Sequence, residues 1–237
     1  MRRKEPARHA ANPMPTMAAR LGAVTIGQSP RTDIIPDLRT ILGDAVEIVE
    51  AGALDGLSAP EIARLAPAGG DEVLVTRLRD GTGTRIAHRH AVPLLRTRLE
   101  ELASRVDAVL LLCTGSFEPF PLRCPIVYPE RLMLGMVRAT APRHLGIITP
   151  DAGQVAEQQV RWKDAADKIS VVAASPYAAA GSLPEHAEDL AGRGADLIVL
   201  DSLGYSIAMK AAVRGTAGRP VVLPRTVLAR AAMELLS

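Results

Sequence analysis

Short runs of apolar, mostly β-branched residues alternate along the chain with segments whose apolar positions follow a helical period. The runs lack the alternation of apolar and polar residues that a half-exposed strand shows, so they predict strands covered on both faces. Eight runs are expected as strands: 21–27, 45–51, 107–112, 125–128, 145–149, 169–174, 196–201 and 220–223. Strands that alternate with helices pair in parallel through right-handed crossovers. The predicted fold class is therefore α/β.

Polar residues and prolines mark where the helices begin. Asp33 is expected to cap a helix that ends near Gly43, with Pro36 in its first turn, where a missing N–H costs little. Pro129 and Pro224 each follow a predicted strand directly, so each is expected to open the next helix.

The chain contains a repeat, because four segments of its first half return in the same order in its second half. The matched pairs are 21–26 with 145–150, 58–61 with 182–185, 107–115 with 196–204, and 125–129 with 220–224. The second pair begins with Ser58 and Ser182, and each serine precedes proline and glutamate as in a capping box. Each half is expected to form a small parallel sheet flanked by helices, and the halves to pack as pseudo-symmetric lobes. The predicted boundaries are a tail at 1–20, a first lobe at 21–140 and a second lobe at 141–237.

The first half is longer than the second, and its additional residues fall within 62–106. In this stretch two β-prone runs flank the sequence Asp-Gly-Thr-Gly at 80–83, a pattern that predicts a β-hairpin near 71–90. Two interpretations stay open. The hairpin is either a lid or dimer contact, or a decoration of the surface.

The composition mainly excludes classes of protein. Hydrophobic residues make up 48% of the 237 residues but aromatic residues only 3%, which indicates a core of aliphatic side chains. The formal net charge of +2 gives no electrostatic basis for binding nucleic acid. No apolar run is long enough to span a membrane, and residues 1–20 lack the apolar stretch of a secretory signal. The expectation is a cytoplasmic protein without nucleic-acid or membrane partners.

The candidate chemistry lies where the repeated strands end, since ligands of open α/β sheets bind at the carboxyl ends of the strands. The repeat aligns Cys113 with Ser202 at two such ends. A free cysteine is usually a small buried hydrophobic residue, and we expect that role for Cys124. The position of Cys113 at a repeated strand end instead favours a catalytic role. Asp201 is expected either to orient Ser202 or a substrate group, or to accept backbone hydrogen bonds.

The loop after the first strand offers a second candidate. It places Gln28, Ser29 and Arg31 just before a helix N-terminus, an arrangement suited to an anion. Arg31 can hold a carboxylate through two parallel hydrogen bonds, or it can be a surface arginine that caps a neighbour. The histidines show no metal-site spacing, so no metal is expected.

Four segments together resemble the AroM family. They are Thr-Ile-Gly-Gln-Ser-Pro-Arg-Thr-Asp at 25–33, Leu-Cys-Thr-Gly at 112–115, Pro-Glu-Arg at 129–131 and Asp-Ser-Leu-Gly-Tyr at 201–205. The resemblance covers about residues 21–237. AroM proteins resemble in turn the aspartate/glutamate racemase superfamily, whose members have two pseudo-symmetric α/β lobes. A racemase-like fold and a homodimer are expected on this basis.

The superfamily resemblance also implies a chemistry. Its racemases use two cysteines, one per lobe, on opposite faces of the α-carbon of the substrate, without a cofactor or metal. The first cysteine corresponds to Cys113 here and the second to Ser202. A serine hydroxyl is a far weaker acid than a thiol, so a two-thiol racemase is disfavoured and a one-thiol isomerase or lyase is favoured.

The expected activity is cofactor-independent proton transfer at the carbon next to the carboxylate of a small organic acid. The alternative is a carboxylate-binding protein without catalysis on the same fold. A catalytic Cys113 is expected to react with iodoacetamide at neutral pH faster than a free thiol. The catalytic candidates are Cys113 and Ser202. The expected substrate-binding residues are Gln28, Ser29, Arg31, Thr114, Gly115, Ser116, Thr149, Asp201, Gly204 and Tyr205.

Overall fold

A computed structural model of the protein describes residues 19–177 and 182–237. The strands are Ala19–Thr25 (β1), Val46–Gly52 (β2), Val73–Arg77 (β3), Gly83–Ala87 (β4), Ala108–Leu112 (β5), Ile126–Val127 (β6), His144–Thr149 (β7), Lys168–Ala173 (β8), Leu197–Leu200 (β9) and Val221–Val222 (β10). The helices are Ile35–Leu42 (α1), Ala59–Ala63 (α2), His88–Ala103 (α3), Pro129–Thr140 (α4), Val155–Arg161 (α5), Ser182–Gly192 (α6), Ile207–Ala217 (α7) and Pro224–Leu236 (α8). Residues 1–18 of the predicted tail lie outside the described residues, and Ala19 and Arg20 belong to β1.

Two parallel sheets of four strands form the centre of the molecule. Their orders are β2-β1-β5-β6 and β8-β7-β9-β10, so every strand of the first sheet has its counterpart at the same place in the second. The predicted α/β class with two repeated sheets is confirmed. Strands β5 and β7 are buried along their whole length, as their continuous apolar sequences indicate.

The two halves of the chain exchange their last helices. Met133 and Val137 of α4, in the first half, are buried against Leu145 and Ile147 of the second sheet. Helix α8, at the end of the second half, buries its apolar face against β1 and β5 of the first sheet. A division at residue 140 therefore separates the two copies along the sequence, whereas each packed lobe contains a helix from the other copy.

Helix α1 begins without the cap that the sequence predicts. The residue at the N-cap position is Ile34, and no side chain caps the helix. The carboxylate of Asp33 instead accepts hydrogen bonds of 2.8 Å from Nε and Nη2 of Arg31. The prediction was wrong because a charge-assisted bidentate pair is stronger than a bond to a backbone N–H. Pro36 does lie in the first turn, as predicted.

The other predicted helix starts have mixed outcomes. The carboxylate of Glu61 accepts hydrogen bonds from the backbone N–H and the hydroxyl of Ser58, at 2.7 and 2.6 Å. Pro129 and Pro224 open α4 and α8 as predicted. The side chain of Ser182 lies outside the described part of the chain. Among the described helices, none combines the length and apolar character needed to cross a membrane.

Strands β3 and β4 form an antiparallel hairpin that bridges both lobes. On the side of the first lobe, Nε of Arg79 donates to the carbonyl of Ser29 at 2.6 Å. On the side of the second lobe, Nε2 of Gln154 donates to the carbonyl of Val73 at 3.1 Å. A side-chain carbon on Gly27 would collide with the hairpin backbone, so the loop after β1 packs tightly beneath it. The hairpin therefore contacts both lobes, and its role as a lid or dimer contact or as a surface decoration stays a prediction.

A buried arginine ties the second lobe to the first. Nε and Nη2 of Arg225, in the first turn of α8, donate to the carbonyls of Leu203 and Gly204 at 2.7 and 3.0 Å. Its Nη1 crosses to the first lobe and donates to the Asp33 carbonyl and the Asp37 carboxylate at 2.6 and 2.8 Å. The loop that carries Ser202 is thereby held against the start of α1.

Candidate active site

The carboxyl ends of β5 and β9 open into one cavity between the lobes. Cys113 and Ser202 both line it, and residues 73–76 of the hairpin form part of its wall. About 40 Å³ of the cavity can hold the centre of a water-sized sphere, so the cavity admits only a small ligand. The location agrees with the general rule for ligand sites in parallel sheets.

The two strand-end loops repeat the same local geometry. The backbone N–H of Gly115 points at Sγ of Cys113 with a distance of 3.4 Å, and the N–H of Gly204 donates to Oγ of Ser202 at 3.1 Å. In each loop the donor is the glycine two residues after the candidate catalytic residue. Cys113 and Ser202 therefore occupy equivalent positions in the two lobes, each with one backbone donor directed at its side-chain atom.

Burial keeps the thiol of Cys113 protonated at neutral pH. Its residue is only 8% exposed, and burial raises the pKa of Cys113 from 9.0 to about 12. The Gly115 N–H and the charge of Arg161 lower this pKa, but burial outweighs them. The expectation of a thiol more reactive than a free one is wrong for this state, because desolvation disfavours the thiolate.

We expect Cys113 to be alkylated slowly in the folded protein. A pKa of about 12 instead of 9.0 lowers the thiolate fraction at neutral pH about 1000-fold. The greater nucleophilicity of a more basic thiolate restores about 20-fold of this loss, which leaves a rate about 50-fold slower. The measurement is iodoacetamide labelling of a Cys124→Ser variant at pH 7.5, folded and in urea. Equal rates in the two states would contradict the burial of the thiol.

An arginine whose side chain is only 9% exposed lies near the thiol. Arg161, at the end of α5, donates from Nη1 to the Thr114 carbonyl at 2.8 Å and from Nη2 to Glu157. The same Nη1 lies 3.7 Å from Oδ2 of Asp201. Burial opposes the charge of Arg161, but Asp201 and Glu157 outweigh it, so its pKa is raised. The cavity therefore contains a fixed positive charge next to Cys113.

Asp201 is a buried carboxyl group on the same side of the cavity. Its side chain is 1% exposed, and Oδ2 accepts a hydrogen bond of 3.3 Å from Nε1 of Trp162. Burial raises the pKa of Asp201, while Arg161 and the Trp162 hydrogen bond act in the opposite direction. A carboxyl group with a raised pKa can take up a proton when an anion binds next to it.

Residues 21–236 match the AroM protein family. The chain belongs to this family. Three solved structures share the fold: the maleate isomerase Iso from Pseudomonas putida S16 (13% identity, 92% of each chain, TM-score 0.62), allantoin racemase from Pseudomonas fluorescens (16%, 91% of this chain and 90% of that chain, 0.61) and arylmalonate decarboxylase (14%, 92% of each, 0.57). At these identities the likeness concerns the fold. None of the curated protein sequences compared with the chain matches it.

Seven of the twelve residues that the sequence predicts for the site line the cavity between the lobes. These are Arg31, Cys113, Thr114, Gly115, Asp201, Ser202 and Gly204. The guanidinium of Arg31 was expected to be available for a ligand, but it is already hydrogen-bonded within the protein. Its Nε and Nη2 pair with Asp33 and its Nη1 donates to Thr25 at 2.9 Å, so the edge expected to bind a carboxylate is already occupied.

The other five predicted residues lie outside the cavity wall. Their side chains contact protein groups instead. Gln28 and Ser29 contact Leu54, Arg79 and Asp55, Thr149 donates to Gln154, Ser116 lies 3.5 Å from Glu130, and the hydroxyl of Tyr205 donates to the Ala174 carbonyl at 2.6 Å. Ser29 and Gln28 therefore anchor the hairpin, and Tyr205 packs in the core of the second lobe.

The structure adds residues that the sequence did not identify. Gln154, Glu157, Gln158 and Arg161 of the second lobe line the cavity, as do Tyr177 and the hairpin residue Thr76. Residues 154, 157, 158 and 161 share one face of a helix that starts after β7. That spacing was the available signal, but it also fits an ordinary solvated helix face. Among the described residues, no group of three or more His, Cys, Asp and Glu side chains is arranged to hold a metal ion.

Proposed function

We propose that this AroM-family protein catalyses proton transfer at the carbon next to the carboxylate of a small organic acid, with Cys113 as its single catalytic thiol. The observation that carries the proposal is the pair of mirrored loops that present Cys113 and Ser202 to one cavity. Proteins named as an isomerase of maleate, a racemase of allantoin and a decarboxylase of arylmalonate share the fold. The superfamily resemblance implies that no cofactor takes part.

In this proposal Cys113 acts as a general acid. A thiol with a pKa of about 12 holds its proton at neutral pH and can give it to an enolate-like carbon, which is a much stronger base. The S–H bond breaks, a C–H bond forms, and the sulfur keeps the electron pair. Arg161 and the Gly115 N–H then stabilise the thiolate, since both already lower the pKa of the thiol. In the reverse direction the small fraction of Cys113 that is ionised acts as the base: the C–H bond breaks, the S–H bond forms again, and the carbon keeps the electron pair.

Arg161 replaces Arg31 as the proposed anchor of the substrate carboxylate. The hydrogen bonds described for Arg161 use Nη1 and Nη2, and Nε remains as a donor for a ligand. A guanidinium that is only 9% exposed holds an oxyanion more strongly than an exposed one, because water screens its charge less. Asp201 is proposed to take up a proton as the acid binds. The positive charge of Arg161 then faces the substrate carboxylate in place of the Asp201 carboxylate.

Ser202 lies in the position of the second thiol but cannot replace its chemistry. A hydroxyl at neutral pH does not ionise to give a base, so the proposal assigns proton transfer to one face of the carbon only. The test is solvent deuterium uptake into a panel of small carboxylic acids, compared between the wild type and Cys113→Ala. Equal uptake by both proteins contradicts the proposal.

One observation favours a second candidate function, a carboxylate-binding protein without catalysis. The thiol is buried and its pKa is raised to about 12, so little thiolate is present at neutral pH, as expected of a site that only encloses its ligand. Such a protein would be stabilised against thermal unfolding by the acid, yet would exchange no deuterium. The same deuterium experiment therefore separates the two functions.

A further inference from the structure

Gln158 is a buried polar side chain on the wall of the cavity between the lobes. It lies in α5 and is 3% exposed. Its carbonyl oxygen Oε1 accepts a hydrogen bond of 3.0 Å from Nε1 of Trp162. Its amide nitrogen Nε2 makes no hydrogen bond with any residue that the structure describes. Buried polar groups nearly always have a partner, so this amide is explained by a ligand group that accepts its N–H.

The hydrogen bond from Trp162 fixes which end of the amide faces the cavity. An indole N–H can only donate, so the atom of Gln158 that faces it is the carbonyl oxygen and not the NH₂ group. Trp162 is 1% exposed and packs in a core cluster of the second sheet, and it does not line the cavity. Because the oxygen is turned towards Trp162, the NH₂ group is the part of the amide that lines the cavity.

The amide nitrogen can also be reached from the cavity. Among the described residues, the only completely buried side-chain nitrogen or oxygen atom without a hydrogen-bond partner is Oγ1 of Thr76. Nε2 of Gln158 lacks a partner but is not in this group, so part of its surface is accessible. Because Gln158 lines the cavity and is enclosed by protein elsewhere, this accessible surface faces the cavity.

The amide lies beside the proposed anchor of the substrate carboxylate. Gln158 and Arg161 are three residues apart on α5, so they share one face of the helix, and both line the cavity. They also have a common neighbour, since Oδ2 of Asp201 lies 3.3 Å from Nε1 of Trp162 and 3.7 Å from Nη1 of Arg161. A carboxylate has two oxygens that accept hydrogen bonds, and this face offers a charged donor next to a neutral one.

We propose that Gln158 is a catalytic residue whose Nε2 donates a hydrogen bond to one oxygen of the substrate carboxylate, while Arg161 holds the other oxygen. Trp162 is the positioning residue that keeps the amide in this orientation. The inference rests on the proposed function, since it takes the ligand to be a small acid. When the α-carbon loses its proton, its electron pair spreads onto both carboxylate oxygens, so the hydrogen bond strengthens as the reaction proceeds.

The first test measures binding of propionate to Gln158→Met by titration calorimetry. Methionine has nearly the volume of glutamine but no N–H, so the variant is expected to bind propionate about 10-fold or more weakly than the wild type. Gln159→Met is the matched control. Gln159 is exposed on the same helix and does not line the cavity, so this variant is expected to bind like the wild type.

A second test uses the wild type and does not depend on the folding of a variant. In spectra of ¹⁵N-labelled protein, the side-chain NH₂ resonances of Gln158 are expected to shift when propionate is added, because the acid accepts a hydrogen bond from this group. The NH₂ resonances of Gln159 are expected to stay in place.

Trp162→Phe tests the positioning role. Without the indole N–H the amide of Gln158 can rotate, so the affinity for propionate is expected to fall about 3-fold, the effect of ordering one side chain on binding. In the Gln158→Met background the same change is expected to leave the affinity unaltered, because there is no amide to orient. An equal loss in both backgrounds contradicts the positioning role.

The catalytic part of the inference has its own measurement. For an acid that the wild type exchanges, Gln158→Met is expected to lower the exchange rate at saturating acid by about 10²–10³-fold, the usual effect of removing one donor to a developing oxyanion. An unchanged saturating rate contradicts the catalytic part.

Three results overturn the inference as a whole: no binding of propionate by the wild type, wild-type affinity in Gln158→Met, or NH₂ resonances of Gln158 that do not move. The binding experiments are independent of turnover and can be repeated in Cys113→Ala, which is expected to show the same dependence on Gln158. A failure of proton exchange in the wild type therefore counts against the role of Cys113 and leaves the hydrogen bond from Gln158 intact.

Discussion

Cys113→Ala is expected to lower the rate of α-proton exchange by about 10²–10⁴-fold, the usual contribution of a positioned acid or base. The reason is that Cys113 supplies the only thiol on the described cavity wall, and Ser202, its counterpart, cannot exchange a proton with carbon at neutral pH. The measurement is the loss of the α-proton signal of the acid in D₂O, followed by NMR.

Cys124→Ser is the matched control for this experiment. Cys124 is partly buried in the core cluster of the first lobe and does not line the cavity, so its exchange rate is expected to equal that of the wild type. Exchange that falls equally in both variants would mean that loss of folding, and not loss of a proton donor, is responsible. Exchange that is unchanged in Cys113→Ala would assign the proton transfer to another group.

Arg161→Gln is expected to have the second large effect, because the guanidinium serves both stability and binding. Without it, Glu157 and the buried carboxyl of Asp201 lose their cationic partner, and the free energy of unfolding is expected to fall by about 3–5 kcal/mol. The affinity for a small carboxylate is expected to fall by at least about tenfold with the loss of a charge-assisted hydrogen bond. Urea denaturation and titration calorimetry measure the two quantities.

Arg138→Gln serves as the control for Arg161→Gln. Arg138 is exposed on α4, so its replacement is expected to change the free energy of unfolding by no more than about 0.5 kcal/mol. An Arg161→Gln protein with wild-type stability and wild-type affinity would show that the guanidinium neither balances the carboxylates nor holds the acid.

The duplicated sheet and the equivalent positions of Cys113 and Ser202 could be predicted from sequence because both follow from local order along the chain. Matching segments in the same order fix which strands correspond, and the position of Cys113 at a strand end follows directly. The exchange of α4 and α8 between lobes could not be predicted, because the apolar pattern of a helix does not show which of two sheets it packs against.

The predictions of site residues were wrong or incomplete where contacts made only in the folded protein determine what a side chain binds. Arg31 was expected to bind a substrate carboxylate, but its Nε and Nη2 already donate to the carboxylate of Asp33, two residues away. Arg161 was missed because a charged residue on a short helix usually faces solvent, and only the packing of α5 against the Cys113 loop buries it.

The most direct measurement of the central claim is the stereochemistry of deuterium uptake by a small acid with two α-hydrogens, incubated with the wild-type protein in D₂O. One thiol on one face of the carbon predicts that a single prochiral hydrogen exchanges and the other is retained, and that Cys113→Ala abolishes this exchange. Exchange of both hydrogens at similar rates would contradict the claim, because it would require a second proton donor on the wall where Ser202 stands.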